Sequence, residues 1–233
     1  MRLAIMQPYF MPYIGYFQLI NSVDQFIIYD KIQYTKKGWI NRNRILLNGR
    51  DQLITLPIKK DSDYLDIVDR ELSESWGKDR EKMLNVIQAA YRKAPHFQEV
   101  FKLLTNCLNN PEPNLFRFIH QSILLVNDYL EIKTPIILSS TIDVDSALKS
   151  QNKVLSLCKR QEANVYINPI GGVELYSRDV FWQNKIELKF IKSAPIEYRQ
   201  FGDEFIAWLS IIDVMMFNSK EQIKTYLNNY TLI

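Results

Sequence analysis

Short apolar runs separated by polar loops predict the first elements of the chain. Residues 3–6 are apolar and open into a segment with two prolines, as expected of a strand buried on both faces that ends in a loop. Residues 15–23 have helical spacing, and residues 26–29 form a second apolar run. Strand, loop, helix and strand in this order predict a βαβ unit, whose two strands are parallel.

The middle of the chain changes from a hairpin pattern to a helical one. Residues 45–47 and 52–57 flank Asn48-Gly49, a pair that favours a two-residue hairpin turn, and 61–69 has the pattern of a loop or a short edge strand. Residues 75–108 have helical spacing, and Pro95 indicates two helices rather than one because proline breaks a helix interior. Residues 115–130 are a further amphipathic helix.

The last hundred residues return to alternating strands and helices. Strands are predicted at 136–139, 165–168 and 188–191, helices at 149–161, 177–184 and 221–230, and an apolar stretch at 208–217. The chain is therefore predicted to be one α/β domain, residues 1–233, with a parallel sheet and a helical subdomain, residues 75–130, inserted in it.

Composition excludes several classes of protein. The net charge of +3 is too small for a nucleic-acid binder. The two cysteines, Cys107 and Cys158, have no histidine at ligand spacing, so no metal site is expected, and isolated thiols fit a reducing cytoplasm. The opening MRLAIMQPYF lacks the features of a signal peptide, and no long apolar window follows. We expect a cytoplasmic protein that is not inserted in a membrane.

The first candidate binding segment, residues 7–16, follows the first predicted strand. In an open parallel sheet, ligands bind outside the carboxyl ends of the strands, where three loops of this chain should meet. Two prolines stiffen this loop, and a glycine opens the next helix, where free N–H groups can hold a phosphate. The alternative is a rigid turn with buried aromatic rings. The candidate residues are Gln7, Tyr9, Gly15 and Tyr16.

The other two segments follow the second predicted strand and the strand at 165–168. Residues 30–43 combine cations for phosphate, amides for hydroxyls and an indole for stacking, although a solvated basic loop is the alternative. Residues 168–176 offer a glycine pair that lets a ligand approach the backbone, or an ordinary turn. The candidates are Gln33, Lys37, Trp39, Asn41, Arg42, Asn43, Asn168, Gly171 and Gly172.

Candidate catalytic bases are few. Asp30 closes the second strand, His96 follows Pro95 in a helix break, and Asp213 lies in the late apolar stretch. His120 is the other histidine, and a lone histidine is more often structural than catalytic. No P-loop, GxGxxG, GxSxG or HExxH motif occurs.

Four blocks of this sequence resemble the WbqC-like family. They are IMQPYFMPYIGYFQLINSVDQFIIYD, QYTKKGWINRNRI, YINPIGGVELY and LSIIDVMMFN, which together extend over nearly the whole chain. Members of the family commonly have Phe at the position of Met11 and Asp at that of Lys31, so a second carboxylate beside Asp30 is lacking here. The resemblance implies a role in O-antigen and other bacterial surface polysaccharides.

The opening is also similar to pantothenate synthetase and related nucleotidyltransferases. In these enzymes a strand, a proline-containing loop and an HxGH helix start bind ATP, and Tyr13-Ile14-Gly15-Tyr16 takes that place here without either histidine. This resemblance implies a parallel-sheet, nucleotidyltransferase-like core of the HUP or Rossmann-like type with a helical insertion.

These observations lead to one functional hypothesis and two alternatives. The chain is expected to be a transferase that moves an acyl or aminoacyl group from a donor to the amino group of a nucleotide-linked sugar. Lys37 and Arg42 would hold the diphosphate, and Trp39, Tyr9 and Tyr16 would stack on the ligand. The alternatives are ATP-dependent nucleotidyl or adenylyl transfer and a non-catalytic sugar-nucleotide binding protein. No cofactor is assigned. The oligomeric state is open, with a homodimer as one alternative.

Overall fold

A mostly parallel six-stranded sheet forms the centre of the protein in a computed structural model, which describes residues 1–36, 38–145, 147–202 and 204–233. The strands lie in the order β5-β2-β1-β6-β7-β8, and only β8 runs antiparallel to its neighbour. Strands β3 and β4 form a separate antiparallel hairpin. The strands are β1 Arg2–Met6, β2 Gln25–Ile28, β3 Arg42–Leu47, β4 Arg50–Thr55, β5 Ile136–Leu138, β6 Val165–Pro169, β7 Glu187–Ser193 and β8 Tyr230–Leu232.

Helices cover both faces of the sheet. Successive side chains of β1 point to opposite faces, so Ala4 belongs to one buried apolar cluster and Leu3 and Ile5 to a second. This explains the uninterrupted apolar run in the sequence. The helices are α1 Ile14–Asn21, α2 Trp76–Tyr91, α3 Phe97–Leu108, α4 Leu115–Tyr129, α5 Ser150–Arg160, α6 Arg178–Gln183, α7 Ile211–Phe217 and α8 Lys220–Leu227.

The structure confirms the main elements predicted from the sequence. Strands β1 and β2 are parallel and joined through α1, as a βαβ unit requires. Asn48 and Gly49 both have positive φ, 51° and 74°, which gives the predicted hairpin turn between β3 and β4. The helix break at Pro95 separates α2 from α3.

Residues 61–69 form a loop, the first of the two predicted alternatives, with a short 3-10 turn, Ile67–Asp69, at its end. One predicted element differs in the structure. The closing helix stops at Leu227, and β8 follows it along β7. The buried amide of Gln18 donates hydrogen bonds to the carbonyls of Tyr226 and Asn229, and so stabilises the turn that ends the helix early.

The helical middle of the chain packs into the larger core. Leu104, Ile119 and Ile123 belong to the same apolar cluster as residues of β2, the hairpin and α7. The interpretation of 75–130 as an inserted subdomain stays a prediction.

The chain changes direction across the sheet between β1 and β6. From β1 it proceeds outwards through β2 to β5, and it then returns to the other side of β1 to form β6, β7 and β8. Strands β1 and β6 are therefore parallel neighbours whose following loops diverge. Such a switch point opens a crevice at the carboxyl ends of the strands.

Candidate functional site

A two-part crevice lies at this switch point. Met6 and Pro169, the last residues of β1 and β6, line two cavities that also share Tyr9. Because the two cavities share these lining residues, they are adjacent parts of one candidate site. We call them the aromatic lobe and the lysine lobe.

The aromatic lobe has a volume of about 440 Å³ and is walled by rings. Trp39 and Trp208 are 42% and 64% exposed, and the Trp208 ring lies 5.4 Å from that of Tyr13. The guanidinium of Arg44 lies 5.5 Å from the centre of the Trp39 ring. Flat rings beside two cations, Arg44 and Lys192, suit a sugar, a base or an acyl chain. The lining also includes Pro12, Gly15, Tyr16, Leu19, Asn43, Ile170, Ile191, Lys192 and Ser193.

The lysine lobe has a volume of about 600 Å³ and lies on the side of β2 and α5. Its charged lining residues in the described part of the chain are Lys31, Lys149 and Lys153. The Nζ of Lys153 lies 5.1 Å from the centre of the Tyr29 ring. Burial raises the pKa of Tyr29 to about 12, so its phenol is a neutral hydrogen-bond donor. Further lining residues are Ile5, Gln7, Ile32, Leu148, Ser150, Gln151, Val154, Tyr166, Asn168, Gly171, Gly172, Leu175 and Tyr176.

The proline-containing loop between β1 and α1 is fixed from two sides. The carbonyl of Met11 accepts hydrogen bonds from Asn43 Nδ2 at 2.8 Å and from Ser210 Oγ at 2.6 Å. The Pro12 carbonyl accepts one from the Ile211 N–H at 2.9 Å. The hairpin and the start of α7 therefore hold this wall of the aromatic lobe in place.

The Tyr13 side chain, rather than space for a ligand, explains the glycine at position 15. A Cβ at this position would lie 2.1 Å from Tyr13 Oη and 2.2 Å from its ring, because the Tyr13 ring crosses directly over the glycine. Tyr13 Oη also shares a hydrogen bond of 2.8 Å with Ser193 Oγ at the end of β7. The glycine thus allows Tyr13 to bridge α1 and β7.

The glycine pair after β6 divides into two roles. A Cβ on Gly172 would lie 2.1 Å from Asn168 Nδ2, whereas a Cβ on Gly171 would meet nothing within 4 Å. Asn168 Oδ1 accepts a hydrogen bond of 3.1 Å from Tyr166 Oη. Gly172 therefore makes room for a buried amide, and Gly171 leaves the floor of the lysine lobe open.

Three residues with left-handed backbone conformation cluster around the crevice. Met11, Ser150 and Trp208 have φ of 43°, 47° and 62°, a region that costs energy for non-glycine residues. Ser150 and Trp208 line the two lobes, and Met11 belongs to the fixed loop. The remaining non-glycine residues with positive φ in the described chain occupy the hairpin turn or follow a helix end, where this conformation is common: Asn48, Glu131, Glu162 and Lys185.

Most of the predicted binding residues do line the crevice. Gly15, Tyr16, Trp39 and Asn43 line the aromatic lobe, and Tyr9 contributes to both lobes. The lysine lobe contains the remaining predicted residues of this group, which are Gln7, Asn168, Gly171 and Gly172.

The structure places other predicted binding residues away from the crevice. The Asn41 amide donates to the Leu56 carbonyl at 2.8 Å and accepts from Tyr34 Oη at 2.8 Å, so it joins the hairpin to a neighbouring loop. Arg42 Nε donates to the Gly38 carbonyl, and Gln33 is exposed beside Asp66. None of these three lines either lobe. Lys37 lies outside the described residues.

Asp30 points into the protein at the end of β2. It is 1% exposed, and its Oδ1 accepts hydrogen bonds from Ser139 Oγ at 2.6 Å and from the Ser140 N–H at 2.9 Å. These bonds join the carboxyl ends of β2 and β5. The carboxylate lines neither lobe, and its neighbour Lys31 reaches the crevice instead.

Asp213 lies at the centre of a buried hydrogen-bond cluster. Its carboxylate accepts from Tyr91 Oη at 2.8 Å, Tyr198 Oη at 2.7 Å and Gln200 Nε2 at 2.8 Å. Burial raises the pKa of Asp213, and these three hydrogen bonds oppose that rise. Tyr91 Oη also accepts from the Leu46 N–H, so the cluster joins α2, α7 and β3. Asp213 lines neither lobe.

The two histidines also lie outside the crevice. His96 precedes α3, and its N–H donates to the Met216 carbonyl at 3.1 Å. His120 lies on α4 with its ring stacked on Phe116, and its buried Nε2 has no hydrogen-bond partner in the structure. Burial lowers the pKa of His120, and the Asp30 carboxylate opposes that effect.

Several residues of the crevice were not predicted. Lys31 follows β2, and Lys149 and Lys153 lie at the start of α5, so topology alone could have placed them at this edge. Arg44 lies in β3 and Trp208 in the loop before α7, and neither was predicted as a binding residue. The two cysteines belong to the core, since both are buried and burial raises the pKa of each thiol to about 12.

A known protein family matches most of this chain. The model of the WbqC-like protein family matches residues 7–225. The chain belongs to the WbqC-like family. This WbqC-like chain is also 30% identical over 230 residues to "Uncharacterized protein Rv1507c" of Mycobacterium tuberculosis, and the match covers 97% of both chains. No solved structure matches it.

The described residues of this WbqC-like chain contain neither a membrane-spanning helix nor a group of metal-binding side chains. In that part of the chain, no helix combines the length and apolarity needed to cross a bilayer. The same residues contain no group of three or more His, Cys, Asp or Glu side chains arranged to hold a metal ion.

Proposed function

We propose that this WbqC-like chain is an enzyme that acts on a nucleotide-linked sugar for bacterial surface polysaccharide, by acyl or aminoacyl transfer to an amino group of the sugar. The observation that carries the proposal is the meeting of two chemically different lobes at Met6 and Pro169. A nucleotide-linked sugar also combines chemically different parts, since its charged diphosphate lies between a flat base and a polar ring. The volumes of both lobes are in the range of small-molecule sites.

The topology of the sheet supports a Rossmann-like core of the nucleotidyltransferase type. Numbered along the chain, the five parallel strands lie in the order 3-2-1-4-5, with the antiparallel β8 at the edge. This is the order of doubly wound nucleotide-binding sheets, in which the ligand binds where the order reverses. The crevice lies at that position.

The groups in the crevice suit positioning and charge stabilisation. In the proposed transfer, the sugar nitrogen bonds to the acyl carbon, the bond to the donor's leaving group breaks, and the proton of the nitrogen passes to that leaving group. Burial raises the pKa of the phenols of Tyr9 and Tyr176, so both are neutral donors for an oxyanion on the acyl carbon. Holding both reactants in one crevice contributes the remaining rate enhancement.

A second candidate function is binding without catalysis. Among the described residues that line the two lobes, no carboxylate, histidine or cysteine occurs. General acid–base catalysis most often uses such groups. A protein that presents a sugar nucleotide to another enzyme would need only the binding surface.

Binding and turnover can be measured separately. Melting temperatures should rise with nucleotide-linked amino sugars because a ligand of the folded state stabilises it, with ATP and free sugars as comparisons. Incubation with the best ligand and activated acyl or aminoacyl donors should then add the mass of one acyl group to the sugar. Binding without a mass change for any donor would favour the binding protein. A melting shift with ATP alone would contradict both candidates.

A further inference from the structure

The lysine lobe carries concentrated positive charge without a compensating acid. Lys31, Lys149 and Lys153 line one cavity, and the described lining residues include no aspartate or glutamate. The other polar groups there are amides, hydroxyls and phenols, such as those of Gln7, Gln151 and Tyr29. A concave surface with a single sign of charge focuses its electric field and concentrates ions of opposite charge.

The three lysines of the lobe lack an ion-pair partner, as most lysines of the described chain do, so what distinguishes them is their grouping along one cavity. In the described chain, Lys36, Lys59, Lys82, Lys189, Lys220 and Lys224 each have a carboxylate oxygen within 4 Å. No such contact is found among the described residues for the three lysines of the lobe. Their charges are compensated by solvent, by the Tyr29 ring that Lys153 faces, or by an anion that enters the cavity.

We propose that the lysine lobe binds the phosphate groups of the ligand through Lys31, Lys149 and Lys153. This inference rests on the proposed function. It assigns the diphosphate to residues other than Lys37 and Arg42, which the sequence predicted for this role. Lysine acts as a point charge for phosphate and needs no fixed fork geometry, so three lysines from two elements can hold a diphosphate.

With the phosphates in the lysine lobe, one uncharged end of the ligand is directed towards the aromatic lobe. Tyr9 lines both lobes, so a ligand that leaves the lysine lobe passes this ring. The uncharged part then enters the aromatic lobe between Tyr13, Trp39 and Trp208.

Calorimetric titration with pyrophosphate and with uridine diphosphate tests the inference directly. The test variants are Lys153→Ala and the triple variant Lys31→Ala/Lys149→Ala/Lys153→Ala. Lys159→Ala is the matched single control, because this exposed residue lies on the same helix. Lys78→Ala/Lys93→Ala/Lys133→Ala removes the same charge from exposed sites elsewhere.

The affinity for both probes should fall at least about tenfold in Lys153→Ala and about a hundredfold or more in the triple variant, as loss of charge-assisted hydrogen bonds implies. The controls should stay within about twofold at fixed salt. Affinity should also fall steeply with added salt in the wild type and weakly in the triple variant. Melting temperatures verify that each variant is folded, and a triple Lys→Gln variant repeats the test with longer side chains.

The outcomes separate this inference from the proposed function. If the wild type binds a nucleotide-linked sugar and the triple variant binds it equally well, the phosphate assignment is wrong and the function stands. If the lysines bind pyrophosphate but no nucleotide-linked sugar binds, the inference stands and the function fails. The inference is overturned if the wild type binds neither probe at millimolar concentration. It is also overturned if the control variant Lys78→Ala/Lys93→Ala/Lys133→Ala loses as much affinity as the triple variant of the lobe.

Discussion

Two polar regions of this protein are organised in opposite ways. In the Asp213 cluster, one buried carboxylate accepts hydrogen bonds from Tyr91, Tyr198 and Gln200, which brings together three parts of the chain. In the lysine lobe, three cations line an open cavity and find no carboxylate among the described residues. The Asp213 carboxylate is hydrogen-bonded within the protein, whereas the ammonium groups of the lysine lobe are free of carboxylate partners among the described residues and can contact a ligand.

This difference indicates which region contributes to stability and which to ligand binding. Buried polar groups must be paired within the protein, because an unpaired donor or charge there costs several kcal/mol. Exposed cations in a concave surface do not require such pairs, since water solvates them. A buried carboxylate with all its hydrogen bonds made is therefore expected to stabilise the fold. A cavity lined by cations without carboxylate partners is expected to bind a ligand.

The largest expected effect is that of Asp213→Ala. This change leaves three buried donors without an acceptor and should lower the free energy of unfolding by about 3–5 kcal/mol. Denaturation in urea measures the loss. Asp143→Ala is the control, because that side chain is 97% exposed and its ion pair with Arg160 is on the surface. It should change stability by less than about 1 kcal/mol. Equal effects of both substitutions would contradict the structural role of the cluster.

A smaller effect is expected for Gly15→Ala in the wall of the aromatic lobe. The new Cβ must displace the Tyr13 ring and break its bond to Ser193, which should cost about 1–3 kcal/mol despite the higher helix propensity of alanine. Gly171→Ala has open space around its Cβ and should stay within about 0.5 kcal/mol. In a Tyr13→Ala background the cost at Gly15 should disappear. A cost that persists there would mean that the glycine has another role.

The pH dependence of stability sharpens the description of Asp213. Burial raises the pKa of this carboxyl in the folded state, so the folded protein binds its proton more readily than the unfolded chain does. The stability that this group contributes is present at acid pH and is lost as pH rises through the folded-state pKa. Relative to Asp213→Asn, the wild type should therefore lose stability as the pH rises above about 4, the ordinary pKa of an aspartate. An opposite slope would show that the hydrogen bonds outweigh burial.

The smallest effect on stability is expected in the lysine lobe. Replacing Lys31, Lys149 and Lys153 by alanine removes no described ion pair and relieves repulsion, so the free energy of unfolding should stay within about 0.5 kcal/mol or rise. Urea denaturation at low salt is the measurement. Substantial destabilisation would mean that these lysines support the fold, which would remove the contrast with Asp213.

Much of the fold could be predicted because its signals are local. The run at 3–6, the Asn48-Gly49 turn and the break at Pro95 each determine an element through the backbone conformation that their residues prefer. The C-terminal strand β8 could not, since helix α8 ends early through a contact with Gln18 more than 200 positions away.

The sequence predicted the position of the candidate crevice but not all the residues that line it. Parallel topology places the loops after β1 and β6 at one edge, which correctly brought Gln7 and Gly171 together. Side-chain direction was not readable: Asp30 points to Ser139, and Asn41 to Leu56. Lys149 and Lys153 escaped notice because a lysine at a helix start has no distinctive pattern. Their importance depends on the absence of acids around them, which only three-dimensional packing shows.

The most direct test of the account is a crystal structure with the nucleotide-linked sugar that gives the largest melting shift. The account predicts phosphate oxygens within hydrogen-bonding distance of the ammonium groups of Lys31, Lys149 or Lys153, with the uncharged part of the ligand beyond Tyr9 among the rings of Tyr13, Trp39 and Trp208. Phosphates bound at Arg42, or a ligand bound outside the switch point between β1 and β6, would contradict it.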